Sequence, residues 1–228
     1  MKPHYSIPIH ECGDPLVPIP LATFAVVHPH PYAALGAPYG DRSPYYLRQP
    51  VLAALTVAQA SLQERQPGWR LQIFDAYRPV AVQQFMVDYT YQQLIKQRDL
   101  NANLLTSQQQ AQLLEQVHTF WAVPSPDPAT PPPHSTGAVI DLTLVDDQEQ
   151  PIDMGSPIDE ISDRSYPNHF QHSSHPGAQT YHQNRSTLAQ VMATAGFRQH
   201  PNEWWHFSLG DQLWAWLDQA PAARYGRV

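Results

Sequence analysis

Three short segments hold residue types whose spacing can do chemistry. In His134-Ser135-Thr136-Gly137-Ala138-Val139-Ile140-Asp141, an imidazole is followed by a carboxylate set inside an otherwise apolar run. Asp141 stands between Ile140 and Leu142, and an ionised carboxylate buried there needs a partner, because an unpaired buried charge is expensive. His134 and Asp141 therefore read as two ligands of one cation; the alternative is an Asp141 that faces water from a half-exposed sheet. In Glu203-Trp204-Trp205-His206, a glutamate close before a histidine suits a site where one side chain holds zinc and the other activates water. Strict strand geometry would put Glu203 and His206 on opposite faces, so this reading needs a kink, which Pro201-Asn202 can supply. In Asp75-Ala76-Tyr77-Arg78-Pro79, Arg78 lies where a strand gives way to a helix. There its guanidinium can stabilise an oxyanion or grip a carboxylate, or else form a structural ion pair with Asp75. As a set, His134, Asp141 and His206 as ligands, Glu203 as base and Arg78 as electrophile form a constellation for metal-assisted amide hydrolysis.

The chain that must position them has 228 residues, enough to bury a core as one domain over residues 1–228 without a disulfide staple. Hydrophobic residues make up 42% and charged residues 14%, which excludes a disordered acidic tail and a coiled coil. With 20 acidic against 13 basic residues, the net charge of −7 excludes a nucleic-acid surface. The single cysteine, Cys12, rules out an internal disulfide and any cysteine-pair metal site, and nothing beside it in sequence argues for a nucleophile. Any metal must then be held by carboxylates and some of the 12 histidines. No apolar run is long enough for a secretory signal or a membrane span, so a soluble cytoplasmic protein is expected.

Prolines crowd residues 1–50, leaving room for short extended pieces such as Ala25-Val26-Val27 but for no long helix. Phe24, Tyr32, Tyr39, Tyr45 and Tyr46 recur through this stretch, which marks it as an ordered arm packed on the core. From Pro50, Val51, Leu55, Ala58 and Leu62 keep helical spacing up to a stop at Gly68, and Arg70–Asp75 alternates as a strand. Pro79 opens a second helix with Val82, Phe85, Met86, Tyr89 and Leu94 on one stripe; a third begins at Ser107 with a Ser107–Gln110 capping box. The proline-rich run 124–133 is a stiff loop delivering the chain into His134. Ala138, Ile140, Leu142 and Leu144 share one face of the next strand, with Asp141 and Thr143 on the other. A polar loop spans about 146–183, followed by a short helix from Asn184 to Gly196, an aromatic strand Trp204–Leu209 and a last helix from Asp211. This order suggests an α+β fold whose central antiparallel or mixed sheet is flanked by helices. His169, His172 and His175 read as loop residues, and Asp146, Asp147, Asp153 and Asp163 as solvated turns.

The chain resembles the VanX-type D-alanyl-D-alanine dipeptidases, within the zinc D,D- and L,D-peptidase group related to the hedgehog fold. The matching stretches are Asp75–Pro79, His134–Leu144, Met154-Gly155-Ser156-Pro157-Ile158-Asp159 and Glu203–His206, in an order that covers residues from about 45 to 210. The resemblance implies one zinc ion held by His134, Asp141 and His206, Glu203 as general base and acid, and Arg78 as transition-state stabiliser. It also implies that Asp159 receives the ammonium of a D-Ala-D-Ala dipeptide, in peptidoglycan precursor turnover or glycopeptide resistance. Trp204 and the N-terminal tyrosines are candidates for an apolar wall around the methyl side chains, with core packing as their alternative. One position departs from the family pattern: where a serine usually precedes the first zinc histidine by two residues, this chain has Pro132. Two alternatives remain beside the dipeptidase: a zinc D,D- or L,D-carboxypeptidase acting on wall peptides, and a zinc-binding module without catalysis. Glu203 argues against the second, since a structural site needs no base.

Overall fold

The computed structural model describes residues 2–228, the side chain of Phe120 excepted. The proline spacing of the first 50 residues leaves only short elements: β1 (Leu16–Pro18), β2 (Ala25–Val26), α1 (Pro31–Ala34) and β3 (Tyr46–Arg48). There follow α2 (Gln49–Arg65), β4 (Arg70–Asp75), α3 (Val80–Gln97), α4 (Ser107–Phe120), β5 (Val139–Val145), α5 (Ala178–Thr194), β6 (Arg198–Gln199), β7 (His206–Ser208) and α6 (Gln212–Leu217). β1 and β3 form an antiparallel pair, and the other five strands form one sheet in the order β2-β4-β5-β7-β6. β2 runs parallel to β4 and every other pairing in that sheet is antiparallel, so the fold is α+β with a mixed sheet. No helix among the described residues is long and apolar enough to cross a membrane.

The alternation in β5 sorts its side chains onto two different surroundings. Ala138, Ile140, Leu142 and Leu144 join Leu55 and Leu62 of α2, Ile73 of β4, and Leu188 and Val191 of α5 in the main core. Each such side chain, fully withdrawn from water, contributes on the order of 1.5–3 kcal/mol. On the opposite side Val82, Met86 and Val87 of α3 and Val117 of α4 gather with Tyr32, Tyr39 and Trp121 into a second cluster, against which Phe74 packs. Asp141 is 2% exposed, so the face that a half-exposed sheet would open to water is covered.

Register in the sheet places the polar residues. Asp141 pairs with His206 of β7 on one side and with Asp75 of β4 on the other. The second pairing depends on a bulge: Ile73 faces Leu142, but the ladder then shifts so that Asp75, not Phe74, faces Asp141. The N-terminal arm is fastened down by Arg48, whose Nε donates to the Thr136 carbonyl (2.9 Å) and whose Nη1 donates to the Asp14 carbonyl (2.6 Å).

Three local expectations need correction. The capping box lies one residue earlier than Ser107–Gln110: Thr106 accepts from the Gln109 backbone N–H, and the Gln109 side chain accepts from that of Thr106. α5 starts at Ala178 instead of Asn184, because its polar first turns are tied down by the buried Ala178 and by Arg185, which donates to the Met154 and Tyr166 carbonyls. The aromatic strand shrinks to His206–Ser208. Trp204 and Trp205 belong to a turn, where the Trp204 N–H donates to the Ser165 carbonyl (3.0 Å).

Candidate active site

His134 reaches the site from the short 3-10 turn Pro133–Thr136 that ends the proline-rich loop. Gly137 closes that turn at φ 69°, in the left-handed region that glycine adopts without strain. The His134 Nδ1 lies 2.7 Å from the Ala76 carbonyl, which can only accept, so the proton sits on Nδ1 and Nε2 is left as a bare lone pair. That Nε2 is 3.1 Å from Asp141 Oδ2, and His206 Nδ1 is 3.0 Å from Asp141 Oδ1. Ligands about 2.1 Å from a tetrahedral metal stand roughly 3.4 Å apart, so these spacings are near those of a loaded site. Ligand atoms of His134, Asp141 and His206 all lie within 4.8 Å of one another, and all three residues are buried. Asp141 Oδ1 receives no aligned hydrogen bond despite its burial, which is what a metal-facing oxygen looks like without its ion. Burial would raise the Asp141 carboxyl, but the imidazoles of His134 and His206 prevail and hold it well below the usual carboxylate range. The donor set of two imidazoles and a carboxylate suits a metal of borderline softness.

The kink required for Glu203 is a tight hairpin turn between β6 and β7. The His200 N–H donates to the His206 carbonyl (2.9 Å) and Gln199 Nε2 donates to the Trp204 carbonyl (2.8 Å), closing the loop that carries Glu203. Both Glu203 and His206 then face one cavity, with Glu203 Oε2 3.4 Å from His206 Nδ1. Burial pushes the Glu203 carboxyl up, His206 opposes, and the charge of Asp141 adds to the rise.

Arg78 makes the structural ion pair with Asp75 and at the same time lines the cavity. Its Nε donates to Asp75 Oδ2 (2.8 Å), Nη1 to Gln83 Oε1 (2.9 Å), and Nη2 to the Tyr32 hydroxyl (3.3 Å) and Asp141 Oδ2 (3.4 Å). The guanidinium also lies near the rings of Tyr32 (4.9 Å) and Trp121 (5.1 Å). Asp75 is in turn fixed by His30 Nε2 (3.0 Å) and the Tyr39 hydroxyl (3.2 Å). Because His30 Nδ1 accepts from the Ala33 N–H, its Nε2 carries the proton given to Asp75.

Asp159 lines the same cavity, and its Oδ2 accepts from the Tyr32 hydroxyl at 2.6 Å. Its backbone is left-handed (φ 63°), uncommon for a residue with a Cβ and a recurrent mark of functional sites. Burial and the nearby charge of Asp141 push its carboxyl up to about 7.

The structure thus brings together all six residues singled out in the sequence: His134, Asp141, His206, Glu203, Arg78 and Asp159. For Trp204 the alternative of core packing holds. Trp204 is in the core, its indole N–H donating to Ser156 Oγ (3.0 Å), while Trp121, Trp205 and Leu213 line the cavity. Pro132 is buried beneath the His134 turn, its carbonyl accepting from the Ser135 hydroxyl (2.7 Å), and Pro133 lines the cavity. Among the described residues, His134, Asp141 and His206 form the one group of three converging ligands, and His169, His172 and His175 have no part in it. Sequence reading missed His30, Tyr39 and Gln83; the density of aromatics before residue 50 was the available signal for the first two.

Comparison with known proteins identifies the family. The family described as D-ala-D-ala dipeptidase matches residues 26–223. A D-alanyl-D-alanine dipeptidase of Synechocystis sp. is 48% identical over 100% of this chain and 97% of its own length. One from Escherichia coli is 33% identical over 68% of this chain and 60% of its own, and one from Enterococcus faecalis is 27% identical over 70% and 71%. The fold, the converging ligands and these matches lead to one conclusion: the chain belongs to the D-Ala-D-Ala dipeptidase family of metallopeptidases.

Proposed function

We propose that the chain hydrolyses the free dipeptide D-Ala-D-Ala, using one zinc ion held by His134, Asp141 and His206. The observation that carries this reading is the convergence of those three side chains in one cavity with Glu203, Arg78 and Asp159. Zinc, when bound, polarises the scissile carbonyl and lowers the pKa of a water in its open position toward ~7. Glu203, whose carboxyl burial pushes up, would take the proton of the attacking water and return it to the leaving amine. Arg78 spends its Nε and Nη2 on Asp75, Tyr32 and Asp141, which fixes the guanidinium plane and leaves a proton on Nη1 for the oxygen that gains charge. Tyr32 holds one oxygen of Asp159, and the carboxylate receives the substrate ammonium. A peptide extended beyond that ammonium would leave Asp159 buried without its partner, which favours the dipeptide over longer chains. A cytoplasmic location suits such a substrate.

The test is release of D-alanine by the zinc-loaded chain from D-Ala-D-Ala and from a tripeptide ending in D-Ala-D-Ala. Cleavage of the dipeptide alone is expected. Equal cleavage of both would replace this reading by a carboxypeptidase, and cleavage of neither by a binding module.

A further inference from the structure

The family match begins at residue 26, yet Lys2 and His4 line the same cavity as Glu203, His206 and Asp159. They are brought there by a 3-10 turn, Pro3–Ser6, in which His4 is buried. The segment after the turn is fastened to the far end of the chain. The Ile7 carbonyl accepts from Gln212 Nε2 (2.7 Å), the Pro8 carbonyl from the Ala223 N–H (2.8 Å), and the Glu11 carboxylate from the Gly226 N–H (2.7 Å). The arm is therefore a built wall of the site.

Beside it stands His200, another cavity residue outside the set already discussed. Its Nδ1 accepts from the Asn202 N–H (3.2 Å), so the ring proton sits on Nε2. Its ring lies 5.3 Å from that of His206, and its Nδ1 3.9 Å from the Glu203 carboxylate. Burial, then the charges of Lys2 and His206, bring the His4 imidazole down to about 4, so Lys2 is the one cation on this wall.

Lys2 and Asp159 line the same cavity. The Lys2 charge acts on His4, His200 and Glu203, and Asp159 is acted on by Asp141, Tyr32, Arg78 and Glu203. A dipeptide is a zwitterion about 7 Å long when extended, and each charged end loses water on entering the site. Asp159 answers the ammonium. Arg78 is already committed to Asp75 and Asp141, and Lys2 forms no ion pair among the described residues.

We propose that Lys2, with the Nε2–H of His200 beside it, binds the terminal carboxylate of the dipeptide, so that the N-terminal arm sets the site's preference for a free carboxyl end. This assignment rests on the dipeptidase reading above. It makes Lys2 a substrate-binding residue with no part in proton transfer.

The experiment compares D-Ala-D-Ala with its C-terminal amide for the zinc-loaded wild-type chain, Lys2→Met, Lys2→Arg and His200→Leu. Lys2→Met is expected to raise KM for D-Ala-D-Ala about tenfold, the scale of one charge-assisted contact, while kcat stays within about twofold. Its preference for the free acid over the amide should fall by a similar factor, and Lys2→Arg should restore it. His200→Leu should raise KM in the same direction by less, with zinc content unchanged. A Lys2→Met enzyme with wild-type KM and wild-type preference overturns the proposal, as does an equal loss of kcat on both substrates. Absence of hydrolysis by the wild-type chain itself defeats the dipeptidase reading, a result that separates the two failures.

Discussion

The two sides of the cavity are built to opposite standards. On the Arg78 side nearly every polar atom has a partner: Asp75, Gln83, Tyr32 and Asp141 hold the guanidinium, while His30 and Tyr39 hold Asp75. On the Glu203 side the contacts are long, 3.4 Å to His206 and 3.9 Å to His200, and no described residue donates an aligned hydrogen bond to the Glu203 carboxylate. A group that meets developing charge works best when its orientation is paid for in the folded state, whereas a group that carries a proton between two partners must keep its lone pairs open. On the proposed mechanism, the difference between the sides is a difference of task.

Each part of that contrast can be broken by substitution. Glu203→Gln keeps the shape and removes the base, and should lower kcat by on the order of 10³–10⁴ while metal analysis still finds one zinc per chain. Unchanged turnover would remove Glu203 from the mechanism. Arg78→Met should lower kcat by about 10²–10³ with a smaller change in KM, because it deletes a donor that acts on the charge-gaining oxygen. Asp75→Asn acts one step further out, on the orientation of Arg78 and of His134, whose Nδ1 lies 3.6 Å from Asp75 Oδ2. It should weaken metal retention about 10–100-fold in a chelator competition. Leu142→Ala sits on the other face of β5 and should cost about 2–5 kcal/mol in denaturant unfolding, yet leave kcat of the folded fraction unchanged.

The smallest effect concerns Asp159 and pH. Its carboxyl is raised to about 7, above the unfolded value near 3.9, so between those limits the folded state holds the extra proton. Stability of the metal-free chain therefore declines as pH rises through that window. Asp159→Asn should raise the melting temperature more at pH 8 than at pH 5; an equal gain at both would show that Asp159 is not titrating there.

How far this could be read in advance differs from element to element. The alternation of Ala138–Val145 and the helical spacing after Pro50 carried their own signals, and β5 and α2 lie where those signals put them. His134, Asp141, Glu203 and His206 are weak signals one by one; their joint likeness to the dipeptidase pattern singled them out, and the fold places all four on one cavity. The start of α5 was not legible, since its first two turns are polar and their anchor, Arg185, makes its contacts with a loop some thirty residues upstream. Nor was the support of Arg78: His30 and Tyr39 reach Asp75 from 45 and 36 residues away, and no local pattern encodes such a meeting. Lys2 was invisible for the same reason, since only the closed fold carries the arm to the cavity.

The shift of register between Ile73 and Asp75 makes the number of residues in β4 matter as well as their identity. Leu71, Ile73 and Asp75 are fully withdrawn from water, so exchanging them is costly, and the residue count adds a second constraint. Deleting Phe74 would restore an uninterrupted ladder with Ile73 still opposite Leu142 and Asp75 still opposite Asp141, at the cost of the ring packed on the second cluster. Inserting one residue between Ile73 and Asp75 would carry Asp75 past Asp141 to face Ile140 and the apolar interior. In a library that mixes substitutions with single-codon insertions and deletions, substitutions at Arg70, Gln72 and Phe74 should pass more often than those at Leu71, Ile73 and Asp75, and loss of Phe74 more often than any insertion.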